Sequence, residues 1–448
     1  MRVNNLSAQS QEYKSFLKRE NPNIVAFSAT TNMFPCVVAL APLTKSNSDA
    51  LTICGGVHAT INPEEVITTQ GIDMVCVGEG ELALAELCDT IQNDRDITGI
   101  ANIWVKQDGK IYRNQPRALI EELDILPFVD REILSYKNTF DLQVMRRGVF
   151  MASRGCPNRC SYCCNHVLKQ IYPNKKKYVR FRSVSHVIEE IEKVIFDFPT
   201  IELVTFHDDI LPLNKSWFEE FVNEYRRKFT LPFELNCHPN LLTKEIAKIA
   251  KSGGCIRISI GIESGNDWLR KEILNRYITK QQILDAFSIC NELGIKTLSY
   301  NMIGLPFETR RKILDTIQLN AKVRPHGIQV SIFYPYQGTK LFEVCQNEKL
   351  LSQKKWVKNY FKDTMLQLKD LTPSQLKTFL VIFKPLVWAF SKCEAFPTLI
   401  GKMAYRGLEV FTLGITSRLL VNILLPLLQG TYVTLRFLKY KVKRAIAR

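Results

Sequence analysis

The hydrophobic positions along the chain change period repeatedly, and each change marks an element. Residues 8–20 read as a polar helix, after which NIVAFSAT (23–30) is an apolar run ending in small hydroxyl residues, as a buried strand would. Further strands are expected at ALTICGG (50–56) and IDMVCVGEG (72–80), with helical spacing over 63–70 and 81–92. Pro63 and Glu81 stand near those helix starts, where a proline loses no needed N–H and an acid faces the positive helix end. This alternation predicts a parallel sheet wrapped by helices. IWVKQDGKIYRN (103–114) adds a hairpin, because Asp108-Gly109 is a turn pair between alternating residues.

A linker containing ILPFVDREIL (125–134) leads to a second series of strands and helices. Its strands are expected at VFMASRG (149–155), IELVTFHDD (201–209), PFELNCH (232–238), IRISIGIE (256–263), IKTLSYNMIG (295–304) and GIQVSIFYPY (327–336), and helices fit at 184–198, 215–229 and 280–294. Six βα units predict an incomplete (β/α) barrel, whose functional groups gather at the C-terminal strand ends. After about residue 345 the pattern becomes helical, apolar and basic, with no strand signal. The expected units are 1–115, a linker 116–147, the barrel 148–345 and a helical region 346–448.

Composition narrows the class. With 46% hydrophobic and 23% charged among 448 residues, the chain is an ordinary globular protein, not a disordered or collagen-like one. The formal charge of +16 raises nucleic acid, a phosphorylated substrate or a membrane surface as partners. Much of that excess is local: residues 401–448 hold nine Lys/Arg against one acid, Glu409. Lys439, Lys441, Lys443, Arg444 and Arg448, interleaved with Tyr440 and Val442, predict either a basic amphipathic helix resting on an anionic membrane or a helix packed on the barrel with a solvated end. Nucleic acid is disfavoured, since the barrel carries no basic-aromatic stripe. No apolar stretch reaches the roughly 18–20 residues of a spanning helix; 419–428 is short and broken by Asn422 and Pro426. The polar first residues lack a signal core, so a cytoplasmic location is expected, peripheral at most on the inner face of a membrane.

In a reducing cytosol the thirteen cysteines read as ligands or scattered buried positions rather than disulfides. One tight cluster exists: RGCPNRCSYCCNH places Cys156, Cys160 and Cys163 in a C-x3-C-x2-C spacing directly after the first barrel strand. Three thiolates in one loop can hold three irons of a four-iron cluster and leave the fourth open. A structural zinc site completed by His166 or Cys164 is the alternative, disfavoured because such sites more often pair C-x2-C or H-x3-H elements.

At these residues the chain resembles the radical S-adenosylmethionine (SAM) superfamily, and Tyr162 before the third cysteine fits that pattern. The resemblance implies a 4Fe-4S cluster on Cys156, Cys160 and Cys163, with SAM chelating the fourth iron and cleaved by an electron to a 5'-deoxyadenosyl radical. It also implies an external electron donor such as flavodoxin or ferredoxin. FHDDIL (206–211) matches the position where the family contacts the methionine amino group, which points to Asp208 and Asp209; a helix cap is the other reading of that pair. GIESG (261–265) carries Glu263 over as a SAM contact, and in NMIGLPFET (301–309), also a family string, Asn301 is the residue that would face SAM, a strand-end turn being its other reading. YPYQGT (334–339) departs at Gln337 from the family's usual P-x-P-G-T.

GGVHATINPEEV (55–66) and DMVCVGEGE (73–81), placed before such a barrel, resemble the cobalamin-binding domain of one radical SAM subclass. The resemblance implies a Rossmann-like sheet whose strand-end loops lie against the corrin, with Ser28, Thr30, Gly55, Gly56 and Gly78 at those positions. A D-x-H-x-x-G motif, which supplies a histidine to cobalt, is absent from the chain, and the family domain usually has one or two further βα units before the strand at 23–28.

The fold expected is therefore α/β: a partial (β/α)6 TIM-like barrel preceded by a Rossmann-like cobalamin-binding-type domain, with a helical C-terminal region. The function expected is cobalamin-dependent radical SAM methyl transfer to an unactivated carbon or phosphorus of a small molecule or lipid precursor. An oxidative cyclase or rearrangement without methyl transfer, and a non-catalytic iron-sulfur or zinc protein, are the alternatives. A methylthiolating RNA enzyme is disfavoured, because Cys36, Cys54 and Cys76 are too far apart to hold a second cluster.

Overall fold

The computed structural model describes residues 6–354, 357, 363–395 and 398–414. The first sheet contains β1 (Ile24–Ser28), β2 (Leu51–Gly55), β3 (Met74–Cys76), β4 (Ile103–Gln107) and β5 (Lys110–Arg113), in that spatial order. β1, β2 and β3 are parallel, and β4 and β5 add an antiparallel hairpin. The hairpin turns at Asp108 and Gly109 with φ of 49° and 72°, the two positive values that a twist-matched two-residue turn demands. Helices Leu6–Glu20, Pro63–Ile67 and Glu81–Gln92 appear where the pattern put them.

Three features differ from the sequence reading. β3 is only three residues long, and neither the short helix Val57–Ile61 nor the longer helix Phe34–Asn47 was anticipated. That helix has Pro35 in its first turn and Pro42 inside it, and apolar side chains run all round it, so no amphipathic stripe marks it.

The second sheet is six-stranded and entirely parallel: β6 (Arg147–Phe150), a small antiparallel pair β7 (Ser153–Arg154) and β8 (Arg180–Phe181) beside it, then β9 (Leu203–Phe206), β10 (Phe233–Cys237), β11 (Cys255–Glu263), β12 (Lys296–Ile303) and β13 (Gly327–Ile332). The order β13-β12-β11-β10-β9-β6 makes an open half-barrel with β6 and β13 at its edges. Ser183, Asn214, Thr243, Thr279, Thr309 and Thr339 each accept a hydrogen bond from the backbone N–H three residues on, and so start the helices that follow them. These helices return the chain over the outer face and bury an aliphatic and aromatic core that includes Phe206, Phe221, Phe233, Ile258 and Phe287.

Helix Pro373–Ala395 packs against helix Arg310–Val323, burying Phe379, Phe383 and Phe390. The described part of the C-terminal region is thus a wall of the barrel, and its one β interaction is an isolated bridge between Leu351 and Leu366. Among the described residues no helix is long and apolar enough to cross a membrane. The basic tail from Lys439 and the apolar stretch 419–428 lie outside the described residues.

Candidate active site

The cysteine loop leaves the barrel through Gly155, whose φ of 85° and close approach to the Tyr178 carbonyl admit no side chain. Ser161 pins the loop from both sides: its N–H donates to Leu274 O at 3.0 Å, its hydroxyl donates to Ile273 O at 2.5 Å, and its carbonyl accepts from Leu341 N at 2.9 Å. Cys156, Cys160 and Cys163 consequently line one cavity of about 230 Å³ at the C-terminal strand ends, together with Asp208, Asp209, Asn236, His238, Glu263, Arg276 and Tyr300. Among the described residues no three His, Cys, Asp or Glu side chains converge on a single ion. His166 and Cys164, the proposed completing ligands of a zinc site, do not line this cavity.

Glu263 sits at a register shift between β11 and β12 with φ of 62°, which turns its carboxylate back over the strand. Gly261 makes room for it: a Cβ there would run into the Glu263 carboxylate and come within 3.0 Å of Arg276 Nη2. Burial raises the pKa of Glu263, against the pull of Arg276 and Tyr162.

Arg276 is the residue that sequence reasoning missed. The π-helical turn Leu269–Ile273 brings the chain back so that its buried guanidinium places Nη1 3.9 Å from Cys160 Sγ and donates from Nη2 to Gly261 O at 2.8 Å, while Nε has no partner. Burial opposes its charge, yet Tyr162, Glu263 and Cys160 hold its pKa above the ordinary arginine value. No periodicity signals an irregular turn of this kind. His238, at the β10 end, is kept neutral: burial first and Arg276 second push its pKa down to about 4.

The two aspartates behave differently. Asp208 is fully buried and accepts from Ala152 N at 3.1 Å, from Ser153 N at 2.5 Å and from the Ser153 hydroxyl, tying the β9 exit to the β6 exit. Burial pushes its pKa up to about 6 despite these donors. Asp209 accepts only from Asn165 Nδ2 at 3.0 Å and faces the cavity. Asn301 needs correction: it points away from the cavity, where its side chain accepts from Asn320 Nδ2 at 2.7 Å and donates to the Ser299 hydroxyl at 3.1 Å. Side chains alternate along a strand, so Tyr300, one position earlier, occupies the cavity wall instead.

The C-terminal ends of β1 to β3 meet the barrel's mouth. Glu79, just beyond β3, pairs with Arg154 at 2.9 Å and Arg180 at 2.7 Å, and its N–H donates to the Tyr172 hydroxyl at 2.9 Å. Ser28 and Thr30 are exposed at these strand ends. At Gly55 a Cβ would make only ordinary contact with Cys76, so packing does not require the glycine and the strand end stays uncovered. Gly56 and Gly78 are explained within the protein, by the backbone of Ala29 and the hydroxyl of Tyr172. His58, the sole histidine of this sheet region, is fully buried against Phe34 and is not presented at the strand ends.

A parallel half-barrel with a three-cysteine loop at its strand ends defines the class, an enzyme of radical SAM type. Residues 151–319 match the Radical SAM superfamily and residues 1–88 match the B12 binding domain. The chain is 30% identical over 367 residues to the uncharacterized methyltransferase PH0819 of Pyrococcus horikoshii, covering 81% of this chain and 78% of that one. It is 25% identical over 348 residues to the anaerobic magnesium-protoporphyrin IX monomethyl ester cyclase of Cereibacter sphaeroides, covering 74% of this chain and 54% of the cyclase. The cobalamin-dependent SAM radical enzyme OxsB, solved with aqua-cobalamin and SAM bound, shares its fold with a TM-score of 0.65 at 14% identity, covering 96% of this chain and 69% of OxsB.

The chain therefore belongs to the radical SAM superfamily, in the group with a B12 binding domain ahead of the barrel. A 4Fe-4S cluster, SAM and cobalamin are its cofactors. The donor set fits the first two: three thiols around one cavity, a buried cation with an unpartnered Nε, and a carboxylate facing it. For cobalamin the uncovered strand ends at Ser28, Thr30 and Gly55 provide the approach.

Proposed function

We propose that the protein is a cobalamin-dependent radical SAM methyltransferase acting on an unactivated carbon or phosphorus of a small molecule or lipid precursor. The observation that carries this reading is the seam at Glu79, which sets the strand ends of the B12 binding region against the barrel mouth that holds the cysteine cavity. When bound, the reduced cluster supplies the electron that cleaves SAM, and cobalamin carries the methyl group between a SAM and the substrate.

The chain's own residues do the rest. Cys156, Cys160 and Cys163 hold the cluster in a loop clamped by Ser161. Arg276 favours the thiolate of Cys160 and offers its free Nε side to the SAM carboxylate, while Glu263 and Asp209 attract the SAM ammonium. Burial of Arg276 strengthens its interactions by excluding water. Asp208 positions the loop rather than touching SAM, because its oxygens are occupied by residues 152–153. An electron donor such as flavodoxin or ferredoxin reduces the cluster.

The likeness to the cyclase favours one second reading, radical oxidation or cyclisation without methyl transfer. Anaerobic reconstitution with hydroxocobalamin, followed by product analysis, separates the two. Methyl transfer yields S-adenosylhomocysteine together with 5'-deoxyadenosine. 5'-Deoxyadenosine alone, with bound corrinoid unmethylated, would overturn methyl transfer in favour of the cyclase-type reaction.

A further inference from the structure

Three cavities of different character meet at one side chain. His207, at the β9 end, lines the cysteine cavity, a second cavity of about 360 Å³ inside the half-barrel and a third of about 370 Å³ between β6 and the preceding segment. The second is polar: Arg147 pairs with Asp141 at 2.6 Å and also faces Glu234, Arg257 pairs with Glu234, and Arg257 Nε has no partner. The third is walled by Leu123, Leu126, Phe128, Val129, Leu134 and Phe150.

The charged groups in that apolar wall each have a partner. Arg131 and Arg182 both pair with Glu190, and their guanidinium groups lie over the rings of Phe150 at 5.0 Å and Phe128 at 5.8 Å. Arg154 is spoken for by Glu79 and Glu81. The rest of the wall offers a hydrocarbon apolar surface. Val129, Leu134 and Met151 of this wall, with Ile125 and Ile133 beside them in the chain, are each more than half exposed, a density of apolar side chains that marks a binding surface rather than an ordinary exterior.

We infer that the substrate is an amphiphile: its aliphatic chain lies in the groove between residues 123–134 and β6, its polar end enters the lumen at Arg147 and Arg257, and the atoms between them pass His207 beneath the cysteine cavity. The inference rests on reading that cavity as the reacting centre, and it names the substrate class of the same site. β6 is the open edge of the half-barrel, so the groove is the side from which a long chain enters without threading through the closed part of the sheet.

The test uses the full chain, anaerobically reconstituted, with cis-parinaric acid as a fluorescent probe carrying an aliphatic chain and a carboxylate. Saturable binding is expected, displaced by palmitate and not by butyrate. The double variant Val129→Asp and Leu134→Asp, at exposed positions that folding tolerates, weakens the probe at least threefold, whereas Phe196→Asp, 85% exposed and outside the groove, leaves it unchanged. Absence of saturable binding, displacement by butyrate as readily as by palmitate, less than threefold weakening in the double variant, or equal weakening by Phe196→Asp would overturn the inference. In the same samples, the response of the reduced cluster's EPR signal to SAM reports on the cysteine cavity independently. An unresponsive signal with intact probe binding indicts that reading alone.

Discussion

The guanidinium of Arg276 and the thiol of Cys160 stand 3.9 Å apart, though 116 positions separate them in the chain. A buried cation beside a cluster ligand acts on both the ligand and the electron the cluster accepts. Positive charge stabilises the added electron, so Arg276→Met shifts the cluster potential to more negative values. The same variant leaves iron content intact and raises the KM for SAM about tenfold, the loss expected for one charge-assisted contact of about 1.4 kcal/mol. Redox titration and SAM kinetics check both; an unchanged potential would refute the electrostatic role.

Single alanine substitutions distinguish cluster ligands from bystanders. Cys156→Ala, Cys160→Ala and Cys163→Ala each abolish the brown iron-sulfur absorption after reconstitution, whereas Cys164→Ala and His166→Ala retain it, since neither side chain faces the cavity. Zinc bound in place of iron, dependent on Cys164 or His166, would contradict this assignment.

Gly261→Ala has no room beside Glu263 and Arg276. Overpacking of this kind costs about 1–3 kcal/mol. The displaced Glu263 carboxylate then weakens SAM binding about tenfold or more, measured by isothermal titration under anaerobic conditions.

Glu308 is fully buried, with one carboxylate oxygen accepting from Gly304 N at 2.5 Å and Leu305 N at 3.2 Å and the other, Oε1, without a partner. Burial pushes its pKa up to about 8 from an ordinary 4.5. A raised carboxyl pKa contributes stability that is complete below 4.5 and is lost as the pH rises toward 8. Glu308→Gln removes that decline, so the melting temperature of the variant gains on the wild type between pH 5 and 8 in thermal scans. Parallel curves would show that the group does not titrate in this window.

Glu79 joins the first sheet to the β7–β8 pair through Arg154 and Arg180. Glu79→Ala strands the buried Arg180 and costs about 3–5 kcal/mol. Faster proteolysis within residues 116–147 and weaker corrinoid retention on desalting are expected together; retention at the wild-type level would detach cobalamin binding from the seam.

What the sequence determined is what local rules encode. The alternation of strand and helix follows from hydrophobic period and capping residues, and the cysteine spacing is meaningful because one loop carries all three thiols. Period was enough to place β9 to β13 and the helices that begin after Ser183, Asn214 and Thr279, but the strand expected at 149–155 is divided between β6, which ends at Phe150, and β7, which pairs with β8 instead. It was not enough for Phe34–Asn47, which buries Phe34, Val37, Ala41 and Thr44 on one face but carries apolar residues such as Val38 on the exposed side, so that no stripe marks it. Nor could it orient Asn301, because facing the cavity or the helix layer is a matter of strand register, and one residue's shift exchanges the two.

Only the tertiary structure decided which charges act on which. Asp208 turned out to be occupied by residues 152–153, Arg276 entered from an irregular turn, and Glu79 gained partners from the β7–β8 pair. Chain spacing is blind to such pairs because the interaction energy depends on separation and burial in space, and both are set by folding.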